Sequence, residues 1–347
     1  MSATPGTGPD PLDIESPNHL LRWLEEQELA ALGEKIETSV LAGGVSNRTV
    51  RVQAGGRDLI VKQALARLRV EDEWFSPTDR ILTEFAALGV YGSFLPGQVP
   101  EPVRQDRERN IIAMAAVPEP HANWKTRLLQ GFVDPSSWQE FGRMLAHIHD
   151  KARPQVDRLP ARLQSKMHFH SLRLDPYYLV SGLRVPQAAD FMQDLVNAAT
   201  NSRNTLVHGD YSPKNVLLQD RRLWLLDFEV SHVGTPWFDV GFALTHALAK
   251  ALWSPLWRRQ FLQGAESFWG GYRQRSGPAI AQDGGEAAGC RHTAGCLLAR
   301  AVGRSRLEYL NDAQLDRQCA LALRLMANPP STIPDLIREF AGLLGET

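Results

Sequence analysis

His208-Gly209-Asp210-Tyr211-Ser212-Pro213-Lys214-Asn215, followed twelve positions after the asparagine by Asp227-Phe228-Glu229, decides how this chain is read. Residues 216–218 and 223–226 are apolar, strand-like runs, and Gln219-Asp220-Arg221-Arg222 between them is a polar turn. A hairpin folded about that turn brings Asp227 beside Lys214 and Asn215, with Asp210 just upstream in the same loop. Phosphoryl transfer needs a carboxylate at the attacking hydroxyl, hard oxygen ligands for Mg²⁺ and a cation on the phosphates. Asp210 is the candidate carboxylate, and Asn215 and Asp227 are the candidate metal ligands. His-Gly-Asp alone is as readily a turn; the full set with its hairpin is far more specific.

Working outward, the 347 residues suffice for two lobes, or for one large domain with insertions. Hydrophobic residues make up 43% and charged residues 22%, as in ordinary globular proteins. A formal net charge of −1 gives no global reason to expect nucleic acid or an anionic membrane as partner. The three cysteines, Cys290, Cys296 and Cys319, form no C-x-x-C pair, so neither a disulfide framework nor a zinc site is expected. The first residues are rich in Gly, Pro, Ser and Thr and do not read as a signal peptide. No run of about 18 apolar residues suggests a membrane span. A cytoplasmic protein is expected.

Apolar periodicity predicts a helix over 18–32, strands over 36–41, 47–53 and 58–63, a helix over 77–88, and strands over 103–106 and 111–117. Helices then dominate, over 135–150, 186–199, 238–252, 255–272 and 290–310 and on to the C-terminus, with the 215–227 hairpin between them. Residues 274–289 read as a loop.

The H-G-D-x-x-x-x-N pattern with D-F-E, and Phe238-Asp239-Val240-Gly241 beyond it, resembles the aminoglycoside phosphotransferase and choline kinase superfamily. The resemblance implies an α+β, protein-kinase-like fold: a small antiparallel-sheet N-lobe, a larger mostly helical C-lobe, and ATP·Mg²⁺ between them. On that pattern residues 1–16 are a disordered lead-in, 17–117 the N-lobe, 118–121 a hinge and 122–347 the C-lobe. Gly43, Gly44, Ser46 and Asn47 stand where the superfamily has its phosphate-covering loop. Lys62 resembles the lysine that holds the α- and β-phosphates, Glu84 its ion-pair partner, and the stretch around Met114, Ala115 and Val117 the hinge that meets adenine through backbone groups. Glu229 stands where protein kinases have glycine and is expected at the metal, directly or one shell out. Lys62-Gln63-Ala64-Leu65, Asp79-Arg80, Glu84 and the D-x-E form are similar to methylthioribose kinases.

The implied activity is transfer of the ATP γ-phosphate to a hydroxyl of a sugar-like or small alcohol metabolite. An antibiotic or choline/ethanolamine-type kinase, and a catalytically silent pseudokinase, are the alternatives. The partner is a small-molecule hydroxyl acceptor; a homodimer is left open. Lys214 is a candidate γ-phosphate contact. His208 is expected to brace the loop and Asp239 to accept its backbone N–H groups. Trp253, Trp257, Phe261, Phe268, Trp269 and Tyr272 have the spacing of core positions, with a substrate wall as the alternative. Arg300, Arg304 and Arg306 are ion-paired or surface residues by default, and otherwise binders of an anionic or polyhydroxyl substrate.

Overall fold

Alternating apolar residues build the first sheet, and the computed structural model shows how its faces are used. The structure describes residues 12–41, 44–70, 73–277 and 284–345. Its contacts divide the chain into two compact units, one reaching Phe85 and taking in Glu101–Ala116, the other made of Ala86–Pro100 and the chain from Val117 onward.

In the first unit β1 (Glu37–Val40), β2 (Asn47–Ala54), β3 (Arg57–Ala64), β4 (Pro102–Asp106) and β5 (Ile111–Ala115) form an antiparallel sheet in the order β1-β2-β3-β5-β4. Val50, Val52, Leu59, Val61, Ile111 and Ala113 line one face and pack against Leu20, Trp23 and Leu24 of the Pro17–Glu26 helix. Burying each such large side chain contributes about 1.5–3 kcal/mol. The Trp23 indole N–H donates to Asp106 Oδ2 at 3.0 Å, so the ring is buried without an unpaired donor.

The helix stops at Glu26 rather than at residue 32. Glu28 takes a left-handed φ of 59°, which folds Leu29 back into the core and leaves Leu32 91% exposed. Of the lead-in expected over 1–16, residues 1–11 lie outside the described set. Beyond them Ile14 is fully buried, and its N–H donates to Gln63 Oε1. Order therefore begins before residue 17, because an isoleucine is available to complete the core.

The next helix, expected over 77–88, runs Arg80–Phe94. Its later part belongs with the second unit, where Tyr91 lies 4.6 Å from the Phe228 ring and the Gln98 carbonyl accepts from Leu225 N–H. The boundary expected at 117 thus misses residues 86–100, which pack on the hairpin despite their position in the chain.

The second unit is mostly helical. Pro135–Ala152 and Arg258–Ser276 approach backbone to backbone: a Cβ at Gly142 would sit 2.0 Å from the Phe268 carbonyl oxygen, and one at Gly271 2.1 Å from that of Gln139. Gly142→Ala should lower stability by about 1–3 kcal/mol, because neither helix can retreat without opening the aromatic layer around Trp138 and Phe268. An unchanged urea midpoint would show that the crossing tolerates the methyl group.

Pro236–Trp253 is buried along nearly its whole length, and Gly285–Val302, Asp312–Ala327 and Ile333–Leu343 complete the helical set. Two short antiparallel pairings were not expected: Thr205–Val207 with His232–Gly234, and Ala122–Asn123 with the hairpin. No helix among the described residues is long and apolar enough to cross a membrane.

Candidate active site

The 216–225 hairpin closes as its sequence demands. Val216 faces Leu225 and Gln219 faces Arg222, with Asp220 at φ 54° in the turn, a conformation that aspartate tolerates. At the other end Leu226 N–H donates to the Asn215 carbonyl at 3.0 Å. This bond fixes the asparagine against the chain that leads into Asp227. Asp227 has φ 69°, an uncommon backbone state for a residue with a Cβ. Asp227 and Glu229 each bring a carboxylate oxygen within 4.8 Å of the other.

Asp210 is held on two sides. The Asn215 amide Nδ2 donates to Asp210 Oδ2 at 2.7 Å and to its carbonyl at 3.0 Å. With the NH₂ group so committed, Asn215 keeps its carbonyl oxygen for another partner. Arg173 lies 3.0 Å from the same Asp210 oxygen and donates through Nε to the Gly209 carbonyl at 2.8 Å. Burial opposes the charge on Arg173, but Asp210, and beyond it Glu229 and Asp227, outweigh burial and hold the guanidinium firmly protonated. Arg173 sits in a wide-turn helix, His170–Leu179, that carries Pro176 inside it.

His208 is fully buried. Its Nδ1 accepts from Asp210 N–H at 3.2 Å and its Nε2 meets the Leu226 carbonyl at 3.1 Å. That pattern places the proton on Nε2 of a neutral ring, and burial lowers the pKa in the same sense. The loop N–H groups of His208 and Gly209 donate to Asp239 Oδ2 and Oδ1 at 2.7 and 2.8 Å. Gly209 has φ 78°, and a Cβ there would lie 2.9 Å from Val230, so the residue type is dictated. Tyr211 stacks on Phe141 at 4.0 Å and donates its hydroxyl to the Phe141 carbonyl, which anchors the loop on the 135–152 helix. Lys214 is exposed, and its carbonyl accepts from Asn123 Nδ2 at 2.7 Å.

In the first unit, Lys62 Nζ lies 2.6 Å from Glu84 Oε1, with Glu84 almost wholly buried. Ser46 and Asn47 are buried, and Gly44 lies in the same turn; Gly43 lies outside the described residues. Arg80, fully buried, ties this loop down by donating to the carbonyls of Ser46, Leu65 and Pro77. Met114 and Ala115 end β5. The Ala115 N–H already donates to Glu101 and that of Ala116 to Asp58, so neither donor is open for a ligand. Val117, in the second unit, is buried.

Sequence reasoning missed Arg173 and Arg80. Arg80 had a weak signal, since it stands in the stretch with methylthioribose kinase character. Arg173 had none, because its helix has no regular period. Of the expected core aromatics, Phe261, Phe268, Trp269 and Tyr272 are buried, as their spacing implies. Arg300 is neither a surface residue nor ion-paired among the described residues: it is half-buried and donates to Tyr177 Oη and Ser305.

The model of the phosphotransferase enzyme family matches residues 37–277. A 4-hydroxytryptamine kinase of Psilocybe cyanescens is 25% identical over 273 residues, 67% of this chain and 73% of that protein. Among solved structures, an amicoumacin kinase in complex with AMP-PNP, Ca²⁺ and Ami aligns over 92% of this chain and 100% of its own, at 15% identity and a TM-score of 0.58. A choline/ethanolamine kinase family protein from Mesorhizobium loti aligns over 94% and 99%, at 15% identity and a TM-score of 0.52. At such identities the structures speak for the kinase-like α+β fold alone, and these matches carry the broad family without the finer likeness to methylthioribose kinases. The family model spans well over half of the chain and covers the whole 208–215 loop and the hairpin after it, so the chain belongs to the phosphotransferase enzyme family.

Proposed function

We propose that this phosphotransferase is an ATP-dependent, Mg²⁺-requiring kinase that moves the γ-phosphate to a hydroxyl of a sugar-like or other small alcohol metabolite. The observation that carries the reading is the meeting of Asp210, Asn215 and Asp227 around one loop and one hairpin end. Asn215, Asp227 and Glu229 supply the hard oxygen atoms that Mg²⁺ prefers. When bound, the ion neutralises charge on the β- and γ-phosphates.

Asp210 receives the acceptor hydroxyl as a hydrogen-bond donor and aims its oxygen at the γ-phosphorus. The new bond joins that oxygen to phosphorus, the bond from phosphorus to the β,γ-bridging oxygen breaks, ADP leaves, and Asp210 takes the hydroxyl proton. Arg173 and Asn215 keep the carboxylate at one angle, which limits the reorganisation needed in the transition state. In this reading Lys62, oriented by Glu84, holds the α- and β-phosphates, and Lys214 contacts the γ-phosphate.

Asp227→Ala should reduce Mg²⁺-dependent transfer by at least about 10³-fold with the thermal midpoint little changed. Assay of ADP formation against a metabolite panel checks this. A variant with the wild-type rate, or a wild-type chain that binds nucleotide and phosphorylates nothing in the panel, would refute the reading.

A further inference from the structure

A group of polar side chains in the second unit stays unexplained by the catalytic loop. Tyr177 lies between two guanidinium groups: Arg173, which touches Asp210, is 5.4 Å from its ring, and Arg300 is 5.7 Å from the ring with Nη1 3.1 Å from its hydroxyl. His246 and Lys250 stand four residues apart on the Pro236–Trp253 helix and so share a face. The Lys250 ammonium is fully buried, 4.9 Å from the Tyr309 ring, and Lys125 reaches the same ring from the Trp124–Leu129 helix at 6.0 Å.

The polar inventory of this group is incomplete. His246 is 6% exposed, and its Nε2 has no hydrogen-bond partner among the described residues. The same holds for Arg300 Nε and the Tyr309 hydroxyl. Lys250 has three donors and makes one hydrogen bond, at 3.3 Å, to the His246 carbonyl of its own helix. Buried polar atoms are paired in nearly all folded proteins, so three unpaired atoms beside an ammonium with one hydrogen bond call for a further partner.

Charge says what kind. Away from Arg173, which Asp210 already pairs, Glu308 acts on this group: it pairs with Lys125 and also feels Arg300. Neither Arg300 nor Lys250 has a carboxylate partner among the described residues. Burial, Lys125 and Arg300 together push the Lys250 ammonium down to about 7, against the pull of Glu308. His246 is lowered by burial and then by Lys250, Arg300, Lys125 and Lys214. Lys214 belongs to the catalytic loop, so the cationic field extends to the Asp210 loop. Among the described residues the Glu308 carboxylate that acts on Lys250 and Arg300 is itself exposed, and an anion joining them would hold Lys250 in its charged form and give the Arg300 guanidinium a partner.

We propose that Arg300, Lys250, His246 and Tyr309 bind an anionic group, a carboxylate or a phosphate monoester, on the acceptor, whose hydroxyl is thereby presented to Asp210. The inference rests on the kinase reading for its second clause. An anionic group of this kind brings several lone pairs to the unfilled donors and balances the excess positive charge. The enzyme is thus a kinase for hydroxy acids or phosphorylated alcohols, and it discriminates against amino alcohols by like-charge repulsion.

The test is calorimetry on the full chain, saturated with a non-hydrolysable ATP analogue and Mg²⁺. Hydroxy acids, sugar monophosphates, their neutral polyol counterparts and amino alcohols are titrated in turn. The expected result is an anionic ligand at least about 10²-fold tighter than its neutral counterpart, weakened at least about 10-fold by Arg300→Gln and by Lys250→Met, with affinity for the nucleotide analogue unchanged. Hydroxy acids and sugar phosphates distinguish carboxylate from phosphate. Tighter binding of amino alcohols or neutral polyols, absence of any anionic ligand, or an anionic ligand indifferent to both substitutions in folded variants would overturn the proposal. Transfer to an amino alcohol would overturn this inference and leave the kinase standing; anion binding without transfer from ATP would do the reverse.

Discussion

Asp210→Asn should lower kcat by about 10²–10⁴-fold while the KM for ATP stays within a few-fold of its starting value. The substitution keeps the shape of the side chain and an oxygen to face Arg173, so the loop survives. On the proposed mechanism it removes the charge that draws the acceptor proton and fixes the angle of the hydroxyl. In free-energy terms the loss is about 3–5 kcal/mol of transition-state stabilisation. The asparagine is preferable to alanine because alanine would leave the buried Arg173 guanidinium without its carboxylate, adding a stability defect to the catalytic one. Steady-state kinetics with the acceptor and ATP varied separately give the answer. A kcat near wild type, or a loss confined to ATP binding, would remove Asp210 from the acceptor.

Asp239→Ala should be the most damaging single change to stability among the residues that shape the 208–215 loop, about 3–5 kcal/mol, with activity lost in the fraction that stays folded. Asp239 is fully buried and accepts from two consecutive backbone N–H groups. Truncation strands both donors where water does not reach, and each unpaired donor costs about 1–3 kcal/mol. It also removes the acid facing His149, whose Nε2 is 3.5 Å from Asp239 Oδ2. Chemical denaturation followed by tryptophan fluorescence measures the loss. A shift below about 1 kcal/mol would mean that the loop N–H groups find other acceptors.

The parts of the site legible in the sequence are those written in short range. The hairpin that joins Asn215 to Asp227 needs only two apolar runs and a polar turn, and its register follows from their lengths. Asp239 carried its meaning in residue type and in its place in the Phe238-Asp239-Val240-Gly241 stretch. What stayed hidden is set by packing at a distance. Arg173 comes from a helix with a proline inside it and turns too wide for the 3.6-residue period, so no pattern announced it. The three-residue strands Thr205–Val207 and His232–Gly234 are too short to alternate. The early end of the first helix depended on Leu29 finding room in the core, which periodicity cannot weigh against continuing the helix. The cation group around Lys250 was invisible for a similar reason: Lys125, His246 and Arg300 lie far apart in the chain, and only their burial together marks them.

The Asp239 clamp also bears on the order in which the molecule acquires function. The two hydrogen bonds that shape the catalytic loop span 31 and 30 residues and end on the helix Pro236–Trp253. The loop cannot template itself: Gly209 at positive φ is held by an acceptor that exists only once that helix has docked. Closing a segment of about 30 residues costs entropy before any contact compensates it, so the shape of the loop waits on the docking of that helix. A partly folded chain with its hairpin already paired would therefore still lack the loop conformation that sets the angle of Asp210.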